Sequence, residues 1–217
     1  MGIVHNTDLL RDAVVEGKHT VAEEQVKRLL EAGADPKDIL DRGLMTAMNT
    51  VGARFKEGRI FVPQVLVSAR AMKVAMNLLE PLLASGNHKA RGKVMLGTVK
   101  GDIHDIGKNL VGIMLRGAGY DVVDIGTGCT AEDFVAGHEL HRPDVVGLSA
   151  LLTTTMAYMR TVVEEFTANA ITTPIMVGGA PVTSRFADEI GAAAYARSAT
   201  EAVELVGALI QPTDPEQ

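Results

Sequence analysis

The chain of 217 residues contains no tryptophan, three tyrosines, five phenylalanines and one cysteine, Cys129. A single thiol cannot close an internal disulfide. That excludes a disulfide-stapled scaffold and fits a reducing compartment. No run of 18 unbroken apolar residues occurs, so no membrane-spanning helix is expected. The start, MGIVHNTDLLRD, is charged early and has no signal-peptide core, so a cytoplasmic place is expected. Basic surplus is also missing. Residues 1–90 carry 12 Lys+Arg against 11 Asp+Glu, and residues 91–217 carry 9 against 16, giving the net charge of −6. A nucleic-acid partner, which needs a basic stripe, is not expected.

What is present is a globular composition, 47% hydrophobic and 22% charged, with enough apolar residues for a sizeable core. It excludes a disordered or fibrous chain. The first part reads as helices alone. Helices are expected near 7–16 and 20–32, the second opened by a capping box at Thr20-Val21-Ala22-Glu23. Gly33 suits a helix stop, and Asp35-Pro36 suits the next start. Leu40, Leu44, Ala47, Val51 and Phe55 then fall at three- and four-residue steps, as do Val65, Ala69, Met72, Met76, Leu79 and Leu83. Those spacings predict a four-helix bundle over residues 1–88, ended by Pro81 and a linker at Ala84-Ser85-Gly86-Asn87-His88.

Residues 89–217 change pattern. Apolar runs at Val94–Val99, Asp121–Ile125, Val145–Ser149, Ile175–Val177 and Ala192–Ala196 alternate with helix-like segments near 106–118, 131–140, 154–169, 183–190 and 200–210. Strands of nearly continuous apolar residues alternating with helices predict a parallel sheet covered on both faces. Five strands suggest an α/β doubly wound, flavodoxin-like (Rossmann-like) order. Such sheets bind ligands beyond the carboxyl ends of their strands. The glycine-rich and polar residues stand there: Lys100 to Asn109, Gly126-Thr127-Gly128, Ser149 with Thr153-Thr154-Thr155, and Gly178-Gly179.

Several chemistries fit poorly. A P-loop needs four residues between its glycine and its Gly-Lys, followed by Ser or Thr; here five separate Gly101 from Gly107, and Asn109 follows Lys108. Zinc has only Cys129 as thiolate and no H-E-x-x-H. His138 and His141, three apart on one helix face, read as solvated. Ser149 has no G-x-S-x-G elbow and reads as a helix cap. Asp102-Ile103-His104 offers more. A carboxylate beside an imidazole takes the proton of one ring nitrogen and leaves the other for a metal. If that metal came inside a bulky cofactor, a slot of small residues would be needed. Gly126, Ser149, Gly178 and Gly179 supply them.

These residues carry a resemblance. Asp102-x-His104-x-x-Gly107, then Ser149-x-Leu151, then Gly178-Gly179, separated by 41 and 26 residues, resemble the cobalamin-binding signature of methionine synthase and of corrinoid methyl-carrier proteins. The stretch GARFKEGRIFVPQVLVSARAMKVAM resembles the helical cap module that precedes that domain. The resemblance covers nearly the whole chain.

It implies a cobalamin bound with its dimethylbenzimidazole tail drawn off cobalt (base-off) and His104 as the lower axial ligand of cobalt in its place. Asp102 would hold the other nitrogen of His104. Thr155 would complete the relay where methionine synthases carry serine. Ser149, Leu151 and Thr153 would line the tail slot, with Gly178 and Gly179 allowing close approach. Asp105, Ile106 and Gly107 of the signature loop join the cofactor-binding set. Phe55 and Val62 of the cap would shield the upper face, and the Ser85–Asn87 linker would act as hinge.

The implied function is a methyl carrier cycling between cob(I)amide and methylcob(III)amide, with His104 leaving and returning. A substrate-specific methyltransferase would load it and a second methyltransferase would unload it to tetrahydrofolate or coenzyme M. A reductive activator would rescue oxidised cofactor. The chain has no room for a barrel-sized catalytic domain beside the two modules, so it reads as a carrier subunit rather than a complete enzyme. Two alternatives share the signature. A cobalamin-based sensor would use a tryptophan over the upper face and add a DNA-binding module, whereas this sequence has no Trp and no basic N-terminal module, so that reading is not expected. The cobalamin subunit of a mutase would not need the helical cap.

Overall fold

The computed structural model describes residues 6–84 and 90–210. Contacts divide the chain into two compact units: Met1–Lys89 with Gly117–Gly119, and Ala90–Arg116 with Tyr120–Gln217. The expected linker and hinge at Ser85–Asn87 lie outside the described residues.

In the helical unit, α1 (Asp8–Val15) and α2 (His19–Glu31) pack with α5 (Val62–Ala84) and with a composite helix. The composite comprises α3 (Pro36–Asp38), a π-helical stretch Ile39–Met45, and α4 (Thr46–Lys56). The expected start at Asp35-Pro36 forms: the Asp35 carboxylate accepts the Lys37 N–H at 2.9 Å. Leu40, Leu44, Ala47 and Val51 are buried on one face, with Phe55 half-buried at its end. Along α5, Val65, Met72, Leu79 and Leu83 are buried as spaced, joined by Ser68, Ala71 and Ala75.

Three local expectations are corrected. The capping box at Thr20–Glu23 does not form. α2 starts one residue earlier, with Lys18 at its N-cap, and Glu23 pairs instead with Lys27 at 2.6 Å. Pro81 does not end α5. It sits within the last turn, where the amide it lacks removes one bond near a terminus. The helix after Pro36 is not regular α throughout. Its π turn lets Gly43 sit against Leu10, whose Cδ2 would be 2.8 Å from a Cβ there. Hydroxyls take two of the carbonyls along the turn: Thr46 donates to Asp41 O at 3.0 Å and Thr7 to Arg42 O at 3.3 Å.

The second unit is the parallel sheet. β1 (Lys93–Thr98), α6 (Ile106–Gly117), β2 (Asp121–Asp124), α7 (Ala131–His141), β3 (Val145–Ser149), α8 (Thr153–Met156), α9 (Tyr158–Ala168), β4 (Ile175–Gly178), α10 (Ser184–Ile190), β5 (Ala194–Ala196) and α11 (Ala199–Ile210) follow in order. The strands lie side by side as β2-β1-β3-β4-β5, all parallel, the flavodoxin-like order expected. The helix expected over 154–169 is interrupted at Ala157.

Alternation along the strands separates two faces. Met95, Val146, Leu148, Ile175 and Val177 point into a core closed by Phe134 of α7 and by Met159, Val162 and Phe166 of α9. Each fully buried side chain of this kind contributes about 1.5–3 kcal/mol relative to exposure. The residues between them, Leu96, Gly147 and Met176, face the other way, toward α6 and α11. His138 does not stand solvated as expected. It is half-buried, 2.8 Å from the Thr173 hydroxyl and edge-on to Phe166.

Candidate functional site

Strand register gathers the motif residues. Thr98 pairs with Ser149, Ser149 with Gly178, and Gly178 with Ala196, so the carboxyl ends of β1, β3, β4 and β5 form one row. Between β1 and β3 the strand order reverses direction, and the loops after these two strands diverge there. The first loop carries Asp102 and His104; the second carries Leu151 and leads into α8, which holds Thr153 and Thr155.

Asp102 joins the two loops. Its side chain is fully buried. Oδ1 accepts the His104 backbone N–H at 3.0 Å and lies 2.8 Å from His104 Nδ1. Oδ2 accepts the Leu151 N–H and the Thr155 hydroxyl, each at 2.7 Å. Burial pushes the carboxyl upward. The bonds from Leu151, Thr155 and His104 outweigh it and hold the group well below the usual carboxylate range. Asp102 is therefore an anion and can only accept. Nδ1 must carry the hydrogen of this contact, and in the neutral imidazole that leaves Nε2 of His104 with its lone pair. The imidazole side chain is 49% exposed, so that lone pair is accessible. Thr155 Oγ1 also lies 3.0 Å from Leu152 O, but its one proton goes to the charged acceptor, the stronger partner.

The remaining predicted residues divide. Ser149, Gly107, Gly178 and Gly179 line one cavity of about 380 Å³ on the α6/α11 face, floored by Leu96, Gly147 and Met176 and walled by Leu110 and Val111 of α6 and by Ala199 and Ala202 of α11. Leu151, on the β3–α8 loop, and Thr153, the first residue of α8, are exposed instead; Leu151 enters the site through its backbone N–H. Ile106 opens α6, and the Asp105 carbonyl accepts the Asn109 N–H at 2.7 Å. Phe55 and Val62 belong to the helical unit, where they flank the α4–α5 connection, both half-buried. Ser149 is not a helix cap, since Leu152 holds the N-cap of α8.

Gly179 is required by the protein itself. Its φ is +133°, and a Cβ would stand 1.8 Å from the Ala150 carbonyl oxygen. The close approach expected of Gly178-Gly179 is thus first to the β3 end, which seats β4 against the loop. Thr98 went unforeseen. Its hydroxyl donates to the His104 carbonyl at 3.0 Å, and the only signal for it in sequence is a hydroxyl at the end of a buried strand.

The arrangement suits a metal that arrives inside a macrocycle. Among the described residues no three His, Cys, Asp or Glu side chains gather to hold a bare ion. Around His104 on the same loops, Ile103, Ile106, Leu151 and Leu152 expose apolar side chains, 80%, 77%, 44% and 45% open, which a broad hydrophobic ring could cover. Cys129 is buried beside the end of β1, where its N–H donates to the Thr98 carbonyl at 2.9 Å, and burial pushes its thiol up.

Comparison with known proteins agrees in both units. The family described as B12 binding domain matches residues 92–206, and a second family of that description matches residues 7–80. A corrinoid protein of Desulfitobacterium hafniense (strain Y51) is 40% identical over 208 residues, covering 94% of this chain and 96% of that one. Dimethylamine corrinoid protein 3 of Methanosarcina acetivorans is 40% identical over 204 residues, 93% of this chain and 94% of its own. Among solved structures, the methanol:cobalamin methyltransferase complex of Methanosarcina barkeri contains a chain that superposes with a TM-score of 0.87 at 34% identity, covering 94% of this chain and 79% of that one.

Proposed function

The chain belongs to the B12-binding family, and from that premise we propose that it is a methyl-carrying corrinoid protein that accepts a methyl group from one methyltransferase and yields it to another. When bound, the corrinoid supplies the cobalt that takes up and releases the methyl group. The chain's own residues hold and tune it.

The observation that carries this reading is the Asp102–His104 pair, which leaves Nε2 as a free, accessible donor above a sheet edge with a cavity beside it. His104 would be the lower ligand. Asp102 fixes the tautomer and orients the ring, as a carboxylate behind a metal-binding histidine does. Because Asp102 keeps its negative charge, it can retain the Nδ1 proton whether or not Nε2 is engaged. Thr155 and the Leu151 N–H keep Asp102 from turning away. The cavity bounded by Ser149, Gly178 and Gly179 would take the base of the cofactor's nucleotide tail. Its apolar floor of Leu96 and Met176 suits a flat aromatic base.

The resemblance to amine and methanol systems supports a partner that loads the methyl group and another that removes it, to tetrahydrofolate or to a thiol such as coenzyme M. A reductive activator completes the proposed set. No described helix is long and apolar enough to cross a membrane.

The test is reconstitution. The purified protein is incubated with hydroxocobalamin under reducing and non-reducing conditions, desalted, and its visible spectrum recorded. Near-stoichiometric retention with a histidine-ligated spectrum is expected. Folded protein that retains no cofactor under either condition would overturn the proposal.

A further inference from the structure

The loop that carries His104 does not hold its shape alone. Its backbone is tied to the loop that follows β2. The Gly128 N–H donates to the Asp102 carbonyl at 2.9 Å, and the Thr98 N–H donates to the Gly126 carbonyl at 3.0 Å. Thr98 in turn holds the His104 carbonyl through its hydroxyl. This supporting loop has little packing of its own. Gly126 and Gly128 take φ of +97° and +70°, and a Cβ at either would meet nothing within 4 Å.

Its anchor is Asp124, the last residue of β2. Asp124 Oδ1 accepts the Gly126 N–H at 2.9 Å. Both carboxylate oxygens also accept from Nζ of Lys108. Lys108 lies in the first turn of α6, directly after the His104 loop, and its side chain is 3% exposed against 33% for Asp124. An ammonium buried to that degree is destabilising unless paired, so this is an unusual place for a lysine without a task. The function proposed above makes no use of its charge. The path from the pair runs Lys108, Asp124, Gly126, Thr98, His104, every step a hydrogen bond.

We propose that Lys108 and Asp124 are positioning residues for His104: their ion pair clamps the start of α6 to the end of β2, and the Gly126–Gly128 loop passes that constraint to the backbone of Asp102 and His104. A metal-binding histidine needs its orientation held by the groups behind it, and Asp102 does so only if its own backbone is placed. The inference deepens the corrinoid reading, on which its spectroscopic arm rests; its other arm needs no cofactor.

Two variants test it. Lys108→Met keeps the stem and removes the charge, leaving a carboxylate that water can reach. Asp124→Ala removes the acceptor. In cofactor-free protein, with folding checked by circular dichroism, backbone hydrogen exchange is compared residue by residue. The Gly128 and His104 amides are expected to exchange about tenfold faster or more in Lys108→Met, while α9 amides keep their wild-type rates. After hydroxocobalamin loading, the histidine-ligated share of the bound cobalamin is expected to fall, read as a ratio to total bound cofactor because Lys108 also lines the cavity. The double variant should be no worse than the poorer single, because the pair acts as a unit.

Unchanged exchange at Gly128 and His104 would overturn the inference, as would acceleration spread evenly over the sheet unit, the mark of a general stability effect. Should Asp124→Ala unfold because it strands the ammonium, Lys108→Met alone decides. If wild-type protein takes up no cobalamin, the corrinoid reading fails while the exchange comparison still judges the clamp.

Discussion

Asp102 and Thr155, 53 residues apart in the chain, are joined by a 2.7 Å hydrogen bond between carboxylate and hydroxyl at the switch point of the sheet. The bond ties the loop after β1 to the helix after β3. Thr155→Val preserves shape but removes the donor, and is expected to destabilise the cofactor-free protein by about 2 kcal/mol, the range for a bond to a charged group. Thr155→Ser keeps the donor and loses a methyl beside Gly101, so about 1 kcal/mol is expected. Denaturant midpoints rank the two. Serine as damaging as valine would mean that packing, not the hydroxyl, matters there.

Asp102→Asn bears on pH. The native carboxyl titrates below its unfolded value of about 4. Its contribution is therefore fully present above about pH 4 and is lost as pH falls toward the lowered native value. The variant should be less stable than wild type by about 2 kcal/mol between pH 5 and 8. The gap should narrow below about pH 4. Thermal melts across that range measure it, and a gap independent of pH would show that charge is not what Asp102 contributes.

His104→Ala separates ligation from binding. The imidazole is half-exposed, and Asp102 keeps the Leu151 and Thr155 donors without it. A stability loss of no more than about 1 kcal/mol is expected. Cobalamin should still be retained, but with the histidine-ligated spectrum gone. A spectrum identical to wild type would remove His104 as the cobalt ligand.

Gly179→Ala tests the β4 turn. Both its φ of +133° and the Ala150 oxygen at 1.8 Å oppose a side chain, and backbone cannot move aside as a side chain can. A loss of about 3 kcal/mol or more is expected. Gly191→Ala is the control: its φ is +75° with open space around it, so only the left-handed penalty of about 1–2 kcal/mol applies. Equal losses at the two sites, read by denaturant titration, would show that the Ala150 contact relaxes.

Some of this was readable along the chain and some was not. Helical faces such as Leu40, Leu44, Ala47 and Val51 were legible because periodic burial is a local property. So were the buried strands, and Asp102 beside His104, a pair two residues apart. The Thr20–Glu23 capping box misled because a capping pattern works only where the helix begins, and α2 begins at His19 with Lys18 at its N-cap. Pro81 misled because a missing amide matters little within a last turn.

The residue types at the strand ends, their order and the chemistry they can perform were determined by the sequence alone. Only the tertiary structure decided which of them meet. Parallel register set Thr98, Ser149, Gly178 and Ala196 in one row, brought Thr155 to Asp102, and left Leu151 contributing a backbone N–H rather than its side chain. It also paired Lys108 with Asp124. Such pairings depend on strand order and on how loops close over a sheet edge, which are set by burial summed over the whole unit and not by any local pattern.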